Sequence, residues 1–265
     1  MRFVEGVVRE AGAIAKHFSG RMGAIRDKGA GDLLTATDLE IDGLIRSRLR
    51  RRFPSFGILS EESETLLADS DYTWILDPID GTQYFMAGIP LYAISLALKC
   101  RDETVLGMVY NPESDQLFAA CSDGPPTLDG NPIGCSRVAL LEEAILCVEI
   151  PNKHYSKDVN HEAMDYLRLL TDKVAQTRII GVSALGMCYC ASGGFDAYLN
   201  VSTGSKEWDL AAGEFIFRRA GAVITRNASG HIVGGPSALH ASLLELFAEQ
   251  GGQSWGMPRR LLKKP

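Results

Sequence analysis

The sequence predicts an α+β protein in two subdomains, and three observations lead there. Two helix-period apolar stripes occupy roughly the first fifty residues. A group of short apolar runs punctuated by turns, antiparallel in character, fills residues 92–120. Past about residue 140 the texture becomes strand–helix alternation. A change of this kind marks a boundary near 135–145. It divides the chain into an N-terminal α+β unit, 1–140, and a C-terminal α/β unit, 141–265.

In the opening helix Val4, Val7, Val8, Ala11, Ile14 and Ala15 share one face. Residues 20–31, dense in glycine and charge, read as a loop or hairpin. A second helix is predicted over 38–53, with Ile41, Leu44, Ile45 and Leu49 as its stripe and Pro54 closing it. Its other face carries Arg46, Arg48, Arg50, Arg51 and Arg52, which read as a solvated face in preference to a nucleic-acid surface. Residues 56–60 form a short strand running into a turn, and 72–76 a buried strand that Pro78 stops. Strands follow at 92–99, 104–110 and 117–120, with turns at Asn111-Pro112, Gly124-Pro125-Pro126 and Asp129-Gly130-Asn131-Pro132. The second unit reads as strand 145–150, helix 161–171, strand 177–180, a small-residue helix, strand 195–199, helix 209–220, strand 222–225 and helix 240–249. The tail, 251–265, reads as loosely attached.

Net charge is −6 and the sequence pI about 5.4. That balance argues against a nucleic-acid duplex or an anionic membrane as partner, since both favour basic surface. It leaves room for a phosphorylated small molecule held through bound cations. The six cysteines fall mostly in apolar runs and none forms a CxxC pair, so they read as reduced core residues, not a zinc site. The first twenty residues lack a cleavable apolar core, and no run reaches the ~18 apolar residues of a membrane span. The expected compartment is the cytoplasm.

The most informative stretch is Asp77-Pro78-Ile79-Asp80-Gly81-Thr82. It places two carboxylates, a glycine and a hydroxyl at a strand end, where free backbone N–H groups lie close by. Hard divalent cations and phosphates suit such a place together. Other acids stand at element ends: Asp38 in Thr35-Ala36-Thr37-Asp38, Glu61 in Ser60-Glu61-Glu62-Ser63, and Asp209 in Trp208-Asp209-Leu210-Ala211-Ala212-Gly213. Taken singly, Asp38 and Asp209 read equally as helix caps, Asp77-Pro78 as a turn former and Glu61-Glu62 as a solvated loop.

Taken together, with Asp32-Leu33-Leu34-Thr35-Ala36-Thr37-Asp38 and Gly193-Gly194-Phe195-Asp196-Ala197-Tyr198, these motifs resemble the inositol monophosphatase family of metal-dependent phosphatases over nearly the whole chain. The resemblance implies a layered αβαβα sandwich and Mg²⁺ as cofactor, two or three ions per subunit. Glu61, Asp77 and the Ile79 carbonyl would hold one ion, and Asp77, Asp80 and Asp209 a second. All-oxygen ligation suits Mg²⁺, whereas zinc favours His or Cys. Asp38 and Thr82 would orient and deprotonate an attacking water, with Glu61 also catalytic through the ion it holds. Gly81 and Thr82 would receive phosphate oxygens. The resemblance also implies lithium inhibition, a homodimer and a small phosphorylated substrate; the acidic balance adds the expectation of no nucleic acid or membrane partner.

Substrate choice is read from two further segments. In Arg178-Ile179-Ile180-Gly181-Val182-Ser183, residues Gly181, Val182 and Ser183 resemble the family's alcohol-side wall, with helix-start packing as the plain alternative. The run Gly204-Ser205-Lys206-Glu207-Trp208-Asp209 lacks the Glu that inositol-preferring members place shortly before Trp-Asp. Lys206 is a candidate for a second phosphate, as in bisphosphate nucleotidases, with fructose-bisphosphatase-like activity as another option. Asp80 and Asp209 would contact substrate as well. The rival from another class is a non-catalytic binding protein that keeps the fold.

Overall fold

A computed structural model describes residues 1–21, 25–29, 32–152 and 154–249; the side chains of 25–29, 32, 33 and 249 are outside the description, as is the 251–265 tail. The elements run α1 (Arg2–Phe18), β1 (Ile25–Gly29), β2 (Asp32–Thr35), α2 (Ala36–Arg52), β3 (Gly57–Ser60), β4 (Tyr72–Asp80) and α3 (Thr82–Ala87). Then come β5 (Ala93–Cys100), β6 (Glu103–Asn111), β7 (Gln116–Cys121), β8 (Thr127–Leu128) and β9 (Asn131–Pro132). The second half holds β10 (Ile145–Glu149), α4 (Lys157–Thr171), β11 (Gln176–Arg178), α5 (Ser183–Ala191), β12 (Ala197–Asn200), α6 (Glu207–Arg219), β13 (Val223–Arg226), β14 (Ile232–Gly235) and α7 (Ser237–Glu249).

The stripe of α1 buries Val4, Val7, Val8, Ala11 and Ala15, and that of α2 buries Ile41, Ile45 and Leu49. Both pack on one face of a seven-stranded sheet in the order β3 to β9. Its opposite face meets α5 and α6, whose small residues let backbones approach: a Cβ on Gly213 would lie 3.0 Å from the Ala184 carbonyl oxygen. Beyond those helices lies a five-stranded mixed sheet, ordered β11-β10-β12-β14-β13, and α4 and α7 cover its far face. The result is the expected αβαβα sandwich. The two middle helices are shared by both sheets, so each sheet has an apolar layer on both sides.

Several boundaries differ from the sequence reading. The strand expected to end before Pro78 continues to Asp80. Its pairing with β5 slips by one residue between Asp77 and Asp80, and the parallel neighbour β3 has already ended at Ser60, opposite Leu76. The proline therefore sits at a bulge on a free edge, where its missing N–H interrupts no ladder. Helix α2 starts at Ala36, with Thr35 as its N-cap, so Asp38 lies inside the first turn and not before the helix. Residues 25–29 and 32–35 pair as antiparallel strands. Strand β14 had no counterpart in the sequence reading, and α4 starts earlier because Ser156 accepts a bond from the Val159 N–H. Among the cysteines, Cys147, Cys188 and Cys190 are buried, but Cys100, Cys121 and Cys135 are only half-buried; all six are free thiols. Among the described residues no helix is long and apolar enough to cross a membrane.

Candidate active site

A cavity of about 870 Å³ opens where the end of β4 and the start of α3 face the starts of α5 and α6. Of the residues expected from sequence, Glu61, Asp77, Ile79, Asp80, Gly81, Thr82, Gly181, Ser183, Lys206 and Asp209 line it together. Their sequence separation of nearly 150 positions collapses because each sits at the end of an element pointing into the same space. Two expected residues are not in its lining. Val182 is fully buried in the core, where its methyl would stand 2.9 Å from a Cβ on Gly81, so its side chain packs and does not line the cavity. Asp38 is buried on α2 and is within electrostatic reach of Glu61, which lines the cavity.

Local structure fixes each acid. Asp77 Oδ1 accepts the Ile79 N–H at 3.0 Å, an Asx-type turn that the bulge makes possible. Asp80 Oδ2 accepts the Ala184 N–H at 2.8 Å, joining the β4 end to the first turn of α5. Asp209, third residue of α6, accepts the Lys206 N–H at 2.7 Å. The Thr82 hydroxyl donates to the Ile79 carbonyl at 3.0 Å. Gly81 adopts φ 95°, which only glycine takes readily, and so turns the chain sharply from β4 into α3.

The electrostatics is that of a site with too much negative charge. Burial, then repulsion from Glu61, Asp80 and Asp209, holds the Asp77 carboxyl well above the usual carboxylate range. Asp80 is raised likewise, by burial first and Asp209 next, with the Ala184 N–H pulling the other way. Asp38 is pushed up to about 6 by burial, offset in part by the Thr35 hydroxyl and N–H groups, and its Oδ1 has no hydrogen-bond partner. Such a cluster matches a hard divalent cation in donor type and in sign. It is not a ready-made cage: among the described residues no three His, Cys, Asp or Glu side chains stand close enough to hold a metal as they lie. One oxygen each of Asp77, Asp80 and Asp209 is turned to a backbone N–H instead.

Two acids escaped the sequence reading. Asp42, buried on α2, accepts bonds from the hydroxyls of Ser60 and Ser63, the residues that bracket Glu61-Glu62, and Arg46 approaches it at 3.8 Å. It lies four positions after Asp38, on the same helix face, which was the available signal. Glu149 ends β10 inside the cavity wall, an acid closing an otherwise apolar strand. Glu207 is not in the cavity lining and pairs with Lys99 at 2.6 Å.

A sequence profile of the inositol monophosphatase family matches residues 2–253. The chain belongs to the inositol monophosphatase family. It is 32% identical over 231 residues to a Dictyostelium discoideum protein named inositol monophosphatase, covering 84% of this chain and 83% of that one. It is 34% identical over 204 residues to a Vibrio cholerae protein named Nus factor SuhB, covering 77% and 75%. The crystal structure of extragenic suppressor protein suhB from Bartonella henselae superposes with a TM-score of 0.87 at 28% identity, over 93% of this chain and 97% of that one. Family membership supports a phosphatase, and the family generally uses Mg²⁺. The Nus factor names overturn one expectation: the exclusion of a nucleic-acid partner does not stand. It rested on a net charge of −6, which is a sum over the molecule and says nothing of a local patch such as the arginines on α2.

Proposed function

We propose that this member of the inositol monophosphatase family is a Mg²⁺-dependent phosphomonoesterase that hydrolyses a small phosphorylated alcohol by direct attack of water. The observation that carries the reading is the meeting of Glu61, Asp77, Asp80 and Asp209 on one cavity, with Asp77 and Asp80 raised above the ordinary carboxylate range by burial and by the neighbouring acids. Glu61, Asp77, Asp80, Asp209 and the Ile79 carbonyl would hold two or three Mg²⁺ ions. When bound, the metal neutralises phosphate charge and makes water acidic enough to attack.

The remaining work falls to the protein. With its proton given to Ile79, the Thr82 oxygen keeps lone pairs with which to orient a water. Asp38 Oδ1, unpartnered and belonging to a carboxyl that titrates near 6, accepts the proton. Gly81 and Thr82 receive phosphate oxygens, Gly181 and Ser183 border the alcohol, and exposed Lys206 meets a second anionic group on substrates that carry one. No side chain is assigned as a phospho-enzyme nucleophile.

Phosphate release from inositol 1-phosphate, fructose 1,6-bisphosphate and adenosine 3′,5′-bisphosphate, with Mg²⁺ and with chelator, tests this. Saturable Mg²⁺-dependent release from at least one supports the reading; release from none refutes it. A second reading, a binding role in transcription, is favoured by the Nus factor name of relatives such as the Vibrio cholerae protein. It gains if Mg²⁺-dependent turnover is absent while the protein binds RNA in a salt-dependent manner.

A further inference from the structure

Glu149 stands apart from the acids discussed so far. It ends β10, is 7% exposed, and lines the cavity beside Asp80, Gly181 and Ser183. Its Oε1 is buried and has no hydrogen-bond partner. The N–H groups of Val182 and Gly181 face the carboxyl and favour its charged form, but burial outweighs them and pushes it up to about 8. A buried carboxyl with an unmatched oxygen costs a fold free energy, so it calls for a partner. The cavity is where one can arrive.

We infer that Glu149 is a specificity-determining residue whose unpartnered oxygen pairs with a hydroxyl on the alcohol portion of the substrate. The inference rests on the phosphatase reading and names what that reading leaves open: an alcohol carrying at least one further hydroxyl. Two observations set the role. Glu149 shares the cavity wall with Gly181 and Ser183 and accepts from the Gly181 and Val182 N–H groups; a carboxylate repels phosphate oxygens but accepts from a hydroxyl, so it addresses the alcohol and not the phosphate. A hydroxyl both donates and accepts, so it satisfies the carboxyl in either protonation state.

The test compares Glu149→Ala and Glu149→Gln with wild type in the full chain with Mg²⁺. The substrates are inositol 1-phosphate, whose alcohol carries hydroxyls, and phenyl phosphate, whose alcohol carries none. The readout is the ratio of kcat/KM for the two esters. Loss of one buried hydrogen bond lowers that ratio about ten-fold in Glu149→Ala, mostly through KM. Glu149→Gln, which keeps an oxygen in place, restores most of it. An unchanged ratio in Glu149→Ala, or a Gln variant no better than the Ala one, overturns the inference; a purely structural role would lower both esters alike and leave the ratio unmoved. If wild type cleaves neither ester, the phosphatase reading is decided separately, by fructose 1,6-bisphosphate and adenosine 3′,5′-bisphosphate. Equilibrium binding of inositol 1-phosphate then decides for Glu149: weaker binding in Glu149→Ala than in wild type upholds it, and equal or undetectable binding in both overturns it.

Discussion

Asp38→Asn separates what the site costs from what it does. The Asp38 carboxyl is 1% exposed and held from an ordinary 3.8 up to about 6. Each pKa unit is about 1.4 kcal/mol, so ionising Asp38 in the folded protein costs about 3 kcal/mol. The proton is lost first from the unfolded chain. Stability is therefore highest below about pH 4, falls as pH rises toward 6, and stays lower above it. Asparagine removes the charge and keeps an oxygen to accept from the Thr35 N–H and hydroxyl. It also buries an amide where Oδ1 has no partner, which returns about 1–2 kcal/mol of the gain. In urea unfolding with chelator present, the variant should be about 1–2 kcal/mol more stable than wild type at pH 8 and no more stable at pH 4. Loss of the proton acceptor should lower turnover with Mg²⁺ by about 10²–10⁴, and wild-type turnover should decline as pH falls through about 6. A stability difference that ignores pH, or a variant turning over within three-fold of wild type, would refute the reasoning.

Two further substitutions probe the scaffold. Asp42→Ala strips partners from the Ser60 and Ser63 hydroxyls and should cost about 2–4 kcal/mol in chemical unfolding, while weakening Mg²⁺ binding measured by calorimetry, since both serines flank the Glu61 turn. Gly81→Ala forces φ 95° on a residue with a Cβ that would lie 2.9 Å from Val182 and 3.1 Å from the Leu91 carbonyl oxygen. It should lower the unfolding free energy by about 1–3 kcal/mol and lower kcat with it, because the same turn sets Asp80 and Thr82.

Much of this was legible in the sequence where the signal was local. The stripes of α1 and α2 show as period, and the Asp-Pro-Ile-Asp-Gly-Thr run marks an element end because proline and glycine constrain the backbone wherever they occur. What was not legible depended on partners far along the chain. Pro78 looked like a strand stop, yet a strand tolerates it where β3 has ended and β5 admits a bulge. Strand β14 was hidden because Gly234 and Gly235 weaken its pattern, although a Cβ at Gly234 would lie 2.8 Å from the Phe217 ring. Val182 resembled a residue of the alcohol-side wall, with helix-start packing as the alternative, and its side chain packs in the core. Asp42 and Glu149 offered only faint cues in one dimension, a shared helix face with Asp38 and the end of an apolar strand, and the packing around them shows that they are buried.

The account turns on carboxylates that would hold Mg²⁺ against a phosphate ester, and Asp77 is the buried one that Glu61, Asp80 and Asp209 all act upon. Phosphate release by Asp77→Asn beside wild type, at saturating Mg²⁺ and with an ester that wild type cleaves, is the most direct test. The account predicts a fall of at least about a thousand-fold with the fold intact by circular dichroism. Wild-type rates in that variant would contradict it.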